Sequence, residues 1–276
     1  SWALRIVLAR QIKGSQLVTQ KRDALIAMML DERQEFDIRS NFGKALARDG
    51  SVSNWPELLE TLRCQATMDA TRLAVDLVDD IGFEQFTDKQ LVELILTCEG
   101  VTLSTLPHGD RDRHTTGTLY FVRRDLPQDR IDGVLDTLAE YLAPFGDDFS
   151  LHIENFDVSN LIGDLVVRRL KLPLLDPVAL WHWLRPLQGD RGYVRSNRDE
   201  VAEWLVANQT ERRIIQRHVL LDAPGDANLW QRRWRLLEPL PGAQLSEDDV
   251  IALLEGLDQD DERWRDVMML TEQKDL

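Results

Sequence analysis

The chain has 276 residues, of which 43 % are hydrophobic, and a net charge of -15 at pH 7. This apolar fraction is typical of a globular protein and argues against disorder over the whole chain. The sequence contains no run of about 20 apolar residues, which would predict a membrane span, and no signal-peptide pattern. Its acidic balance opposes non-specific binding to nucleic-acid phosphates or anionic lipid. We therefore expect a cytoplasmic protein with no membrane association and no nucleic-acid partner.

Amphipathic helices follow one another from the first residues onward. Apolar side chains recur at helical spacing, and glycines such as Gly14 and Gly82 separate the segments. Several helices begin with a side-chain acceptor that is followed three residues later by an acid or amide, which is a capping pattern. These starts are Asn54, Thr87, Asp125, Ser196 and Ser246. The helices predicted in the first hundred residues are 2–13, 17–30, 36–48, 55–66, 69–80 and 88–98.

The helical rhythm weakens after residue 100. Residues 100–118 contain Pro107, two glycines and a dense run of mixed charge, which is typical of a loop or a domain joint. We therefore divide the chain into an N-terminal helical array at 1–100, a loop or joint at 101–118 and a C-terminal helical array at 119–276.

The charged run in this joint contains a candidate metal site. His108, Asp110, Asp112 and His114 alternate along the loop, and two imidazoles with two carboxylates can hold a divalent ion. The intervening arginines at 111 and 113 would repel a cation, so a solvated polar loop is the reading that we favour for His108 to His114.

Helical periodicity returns in the second half of the chain. Residues 119–122 favour a β-strand, but this segment is too short to form a sheet. The helices have similar lengths and short connections, which indicates stacked helix pairs. No fixed repeat period is visible. The sequence therefore predicts an all-α fold built as an irregular HEAT-like helical-repeat array, with a compact all-α domain as the alternative. The predicted helices are 126–143, 156–171, one starting at Asp176-Pro177, then 197–208, 211–221, 227–237, 247–256 and 261–272.

Catalytic and cofactor motifs are absent from the sequence, so we expect no cofactor and no resident metal. Phe42-Gly43-Lys44 lacks the remaining residues of a phosphate-binding loop and falls within a predicted helix. Cys64 and Cys98 occupy apolar helical positions, which predicts two buried reduced thiols. The acidic turn at 258–262 resembles an aspartate-rich magnesium site, but its more ordinary role is to cap the helix that starts near Asp261.

Tryptophans and arginines alternate on one predicted helix and form the candidate interaction surface. Exposed aromatic and arginine side chains anchor protein interfaces, whereas tryptophans four residues apart also pack between helices. The sequence leaves these two roles open. The residues are Trp230, Arg232, Arg233, Trp234 and Arg235. Trp181, Trp183 and Trp204 lie on helices rich in apolar residues, and we expect them to be structural.

The second half of the chain also resembles a known kind of segment. It is similar to the helical region that follows the NTPase core of large bacterial STAND proteins of the NACHT type, where it senses a trigger or holds the protein inactive, often in anti-phage defence. The family's Walker residues have no counterpart here, so no functional residue carries over. The resemblance rests on Tyr120-Phe121, Leu126-Pro127, Ile131, Leu135, Leu138, Ala139, Trp204-Leu205 and Arg263-Trp264-Arg265.

These observations lead us to expect a non-catalytic protein-interaction or sensor scaffold with a protein partner. The chain opens on helical periodicity at Ser1, so we expect either a segment of a larger bacterial cytosolic protein or a residue left by a cleaved tag. The alternative function is an all-α enzyme with a helix-lined pocket. An enzyme would gather titratable groups with shifted pKa values in one cavity, whereas a scaffold would present an apolar or aromatic patch.

Overall fold

A computed structural model describes residues 16–105, 122–142, 156–185, 195–222, 228–258 and 261–270. All regular structure within these ranges is helical, which confirms the predicted all-α class. None of the helices in these ranges combines the length and the apolar character needed to cross a bilayer. The chain divides into two compact units, Ser1–Arg130 and Ile131–Leu276.

The described residues of the first unit include six longer helices, a short helical segment at 122–125 and two 3₁₀ turns at Phe83–Gln85 and Gln128–Arg130. The helices are α1 (Gln16–Gln20), α2 (Arg22–Leu30), α3 (Phe36–Asp49), α4 (Trp55–Cys64), α5 (Met68–Ile81) and α6 (Asp88–Thr105).

Helices of this unit pack on the next helix and on the next but one. Helix α3 packs on α2 and α5, and α5 packs also on α4 and α6, while α4 touches α6. This pattern is expected of stacked helix pairs, in which each apolar stripe is buried by its neighbours. The HEAT-like assignment stays a prediction, because the pattern of contacts fixes no repeat.

Gly43, which belongs to the incomplete phosphate-loop pattern Phe42-Gly43-Lys44, has a packing role in α3. It is buried in α3, and a Cβ atom at this position would lie 2.8 Å from both Cδ atoms of Leu77 on α5 and 3.2 Å from Sδ of Met29. The glycine therefore allows α3 and α5 to approach closely, and its role is packing.

The ends of α2, α3 and α4 are joined by buried polar groups. Arg39 is only 2 % exposed. Its Nε donates to the Met29 carbonyl at 2.8 Å, and its Nη2 donates to Oε1 of Gln65 at 2.6 Å. Gln65 in turn donates to the Leu30 carbonyl at 2.7 Å. The carbonyls at the end of α2 thus gain partners that a helix end otherwise lacks.

The second unit is built in the same way. Its helices are α7 (Ile131–Leu142), α8 (Phe156–Leu170), α9 (Pro177–Leu184), α10 (Arg195–Ala207), α11 (Gln209–Arg217), α12 (Leu229–Arg232), α13 (Glu247–Glu255) and α14 (Arg263–Met269). Two π-helical turns, His218–Asp222 and Arg233–Leu237, directly continue α11 and α12.

One row of this unit runs from α7 through α9 and α11 to α13, while α8 packs on α7 and α10. Trp181 and Trp183 on α9 are each 2 % exposed, which confirms that they belong to the core. The Nε1 of Trp183 donates to Oδ1 of Asp136 on α7 at 2.7 Å, so its polar edge has a partner. Trp204 on α10 is partly exposed.

The predicted joint at 101–118 and the predicted burial of the two cysteines have different outcomes. Residues 101–105 of the predicted joint continue α6, whereas residues 106–118, with the His108 to His114 run, lie outside the described residues. The joint and its candidate metal site therefore stay predictions. The predicted burial of Cys64 is wrong, because this residue ends α4 with its thiol exposed, 3.5 Å from Oε1 of Glu60. The side chain of Cys98 lies outside the described part of the structure.

Candidate interaction surface

The candidate surface lies on α12 and on the π-helical turn that continues it. Asn228 precedes α12, and its side-chain oxygen accepts a hydrogen bond from the Gln231 backbone N–H at 2.9 Å, which fixes the helix start. The backbone N–H of Glu238 then bonds to the Arg233 carbonyl at 3.0 Å, an i to i+5 bond that marks the π turn. Turns of this kind are rare and are found frequently at functional sites.

Trp230 and Trp234 form an exposed aromatic pair. Each side chain is 48 % exposed. Their ring centroids are 6.0 Å apart and the ring planes are inclined at 54°. The structure therefore places both indoles at the surface, and neither is fully enclosed between helices.

Arg232 does not contribute to this surface. It is 8 % exposed, and its Nη1 donates to the carbonyls of Val219 and Leu220, both at 3.3 Å. These carbonyls belong to the π-helical turn His218–Asp222, at the end of a helical segment, where the last carbonyls lack intrahelical donors. Arg232 is thus turned inward, which differs from the predicted surface role.

Arg233 also holds the structure together. Its Nε lies 3.0 Å from Oε1 of Glu238, and its Nη1 donates to the Leu270 carbonyl at 2.5 Å. The second bond ties the π turn to the end of α14. Arg235 is exposed, so the surface that the sequence predicted retains Trp230, Trp234 and Arg235.

A cavity of about 360 Å³ opens beside Trp230, between α12 and α14. The cavity could not be predicted from the sequence, because α12 and α14 are separated in the chain and only the fold brings them together. Met269, one of its residues, is 50 % exposed, so part of the lining faces solvent. The lining consists of Asn228, Leu229, Trp230, Asp266, Met269 and Leu270.

Within the acidic turn, Asp261 hydrogen-bonds the first residue of α14, while the N-cap residue Glu262 makes no side-chain capping bond and Asp260 lies outside the described residues. Asp261 accepts hydrogen bonds from the Arg263 backbone N–H at 2.9 Å and from its guanidinium at 2.7 Å. These side-chain and backbone bonds lower the pKa of Asp261 to about 2. The described residues include no group of three or more His, Cys, Asp or Glu side chains arranged to hold a metal ion.

Comparison with known proteins adds no relative: no family model matches the chain, and no curated protein or solved structure matches it significantly. Functional inference therefore rests on the geometry of the chain itself.

Proposed function

We propose that this chain is a protein-interaction scaffold that contacts its partner through the exposed Trp230–Trp234 pair. The observation that carries the proposal is the half exposure of both indoles, Trp230 on α12 and Trp234 on the π turn that continues it. Tryptophan is among the residues most enriched at the energetic centres of protein interfaces, because it buries a large apolar area at low entropic cost. A partner that covers the pair would remove this area from water.

Hydrogen bonds of Arg232 and Arg233 anchor the backbone that carries the two indoles. Arg232 and Arg233 bind carbonyls of the neighbouring π turn and of α14, as described above. A surface that is ordered before binding loses less conformational freedom on association. The arginines of the motif therefore support the proposed surface by fixing its aromatic members.

Three carboxylates with shifted pKa values lie apart from one another, which supports a scaffold over the alternative enzyme. Burial raises the pKa of Asp76 on α5. Asp249 on α13 and Asp261 before α14 have pKa values of about 2. The hydrogen bonds to Asp261 are local, whereas those to Asp249 come also from Arg212 and Arg213 on α11. These three carboxylates lie on separate elements, whereas an enzyme would gather such groups into one cavity.

We further propose that the scaffold is a sensor segment of a larger bacterial protein of the STAND type, as the resemblance of the second half implies. In such a protein, a trigger that binds the helical array would control an ATPase domain elsewhere in the same chain. The full-length gene is the test: an upstream NTPase domain would support this assignment, and a gene that encodes only these helices would contradict it.

Site-specific photo-cross-linking tests the interaction surface itself. Benzoylphenylalanine at position 234 replaces one aromatic side chain with another and reports what lies against it. Val206 on α10 is 57 % exposed and provides the matched control position. We expect one protein to be cross-linked from position 234 and not from position 206. Equal cross-linking from both positions, or none from position 234, would contradict the proposal.

A further inference from the structure

The cavity beside Trp230 combines three kinds of surface in a small space. An indole comes from Trp230, apolar side chains come from Leu229 and Met269, and a carboxylate comes from Asp266. Its volume of about 360 Å³ lies at the small end of the range for ligand pockets. A side chain of a partner is therefore a more suitable occupant than a large cofactor.

Asp266 is the only ionisable residue among the described residues that line this cavity. It lies in the first turn of α14 and is exposed. Within the described part of the chain it forms no ion pair, in contrast to Asp261, which is bound to Arg263. An incoming cation would therefore meet a carboxylate that is not already neutralised there.

We propose that this cavity binds the cationic side chain of a lysine or arginine from a protein partner. The aliphatic stem would lie on Leu229 and Met269, since long cationic side chains bury their methylene groups on apolar surfaces. The charged end would contact the face of Trp230 and the carboxylate of Asp266. The inference rests on the proposed function, because it names the chemistry of the partner at the same surface.

The net charge of the chain supports a cationic occupant. The whole chain has 48 acidic and 33 basic residues, so its field attracts cations and opposes anions. Arg232 and Arg233 direct their guanidinium groups to backbone carbonyls. Arg235 is exposed on the same segment but does not line the cavity.

Titration of the full chain with N-acetyl-arginine amide tests this inference, with the indole N–H resonances followed by NMR. N-acetyl-citrulline amide is the matched probe, because it keeps the shape of the arginine side chain and lacks its charge. We expect the Trp230 indole resonance to shift with the arginine probe and to stay in place with the citrulline probe. Asp266→Asn should weaken arginine binding by up to about fivefold, the size expected for loss of an exposed ion pair.

Asp199→Asn is the control variant, because Asp199 is an exposed carboxylate on α10 that is remote in sequence from the cavity. It should leave the arginine affinity unchanged. Three results would overturn the inference: no shift of the Trp230 resonance, equal shifts with both probes, or unchanged affinity in Asp266→Asn. Folding of the variant is checked by the dispersion of its other indole resonances.

The failure of this inference can be distinguished from the failure of the proposed function. If position 234 cross-links a partner but the arginine probe does not bind, the interaction surface stands and the cationic side chain is wrong. If the arginine probe binds with the stated dependence but position 234 cross-links nothing, the cavity stands and the scaffold function is contradicted.

Discussion

Asp249 is a buried carboxylate that joins two helices of the second unit. It is fully buried at the start of α13 and lies 2.9 Å from Nη2 of Arg212 and 3.1 Å from Nε of Arg213 on α11. Its Oδ2 also accepts hydrogen bonds from the Ser246 backbone and hydroxyl, which completes a capping box. Gln216 on α11 donates to the same oxygen at 3.3 Å. A buried charge of this kind is stable only because its partners surround it.

Replacement of Asp249 by Asn should lower the free energy of unfolding by about 3–5 kcal/mol, the usual cost of breaking a buried ion pair. The loss arises because both arginines keep their charge after the carboxylate is removed. Asp248→Asn is the control, since Asp248 is exposed in the same helical turn and should cost less than about 1 kcal/mol. Urea denaturation measures both variants. Equal effects would show that the buried network contributes nothing beyond helix capping.

The same residue should make stability depend on acid. Burial alone would raise the pKa of Asp249, but hydrogen bonds from Ser246, Arg213 and Arg212 outweigh it and lower the pKa from 3.8 to about 2. A carboxyl whose pKa is lower in the folded state stabilises the fold at pH values above its ordinary pKa. This stabilisation is lost as the pH falls from about 4 through about 2. Denaturation at several pH values should show a shallower acid slope in Asp249→Asn than in the wild type.

His182 should also make the free energy of unfolding fall as the pH falls, but at higher pH than Asp249 does. Desolvation lowers the pKa of His182 below 6.5, and the neighbouring His218 and Arg185 lower it further, while Asp136 and Asp176 oppose the shift. The two imidazole centroids are 5.7 Å apart. Folding therefore favours neutral His182, and stability is lost as pH falls below about 6.5. His218→Gln should raise the pKa of His182 measured by NMR; an unchanged value would show that His218 does not influence it.

Buried and half-exposed tryptophans should differ in their contribution to the free energy of unfolding. Trp183→Ala should cost about 3–5 kcal/mol, because it removes a buried ring and leaves a cavity. Trp230→Ala removes a half-exposed ring and should cost about 1 kcal/mol or less. Thermal or urea denaturation distinguishes them. A large loss in Trp230→Ala would assign that indole to the core and weaken the proposed interface.

At the scale of elements, the junction between α12 and α14 depends on Arg233. Arg233→Leu should lower the free energy of unfolding by about 1–3 kcal/mol, because it leaves Glu238 and the Leu270 carbonyl without this donor. Arg198→Leu, at an exposed position on α10, is the control and should change stability by less than about 0.5 kcal/mol. If the two variants were equally stable, α14 would be held to the π turn by apolar contacts alone.

Periodicity and capping patterns predicted most of the helices, but not every helix start. Thr87 and Ser246 cap their helices as their patterns predict. Asn54 makes no side-chain capping bond to the first turn of α4. The helix predicted at 126–143 begins only at Ile131, after a separate 3₁₀ turn. The sequence could identify Trp230 and Trp234, but it could not distinguish the inward Arg232 from the exposed Arg235.

The cavity and the two π turns were beyond prediction for a related reason. A π turn differs from an α-helix by one extra residue in a turn, and no residue type in His218–Asp222 signals this insertion. Asp266 and Trp230 are 36 residues apart in the chain and meet only through packing. Helical periodicity describes one element at a time, so it does not reveal a site that two elements share.

At the scale of the whole molecule, each unit has a core of its own. Leu46, Leu62 and Leu73 are fully buried in the first unit, and Leu138 and Leu165 in the second. Separate fragments 1–130 and 131–276 should therefore each fold and melt cooperatively, as circular dichroism can measure. A fragment that is helical but melts without a cooperative transition would show that its core is incomplete on its own.

The most direct measurement of the proposed function is the affinity of the full chain for the purified partner that cross-links to position 234. The double variant Trp230→Ala/Trp234→Ala should weaken binding at least about tenfold, which corresponds to about 1.4 kcal/mol. Val206→Ala, which shortens an exposed apolar side chain on α10, should leave the affinity within about twofold. If the double variant bound the partner as tightly as the wild type, the exposed tryptophan pair would not be the interaction surface.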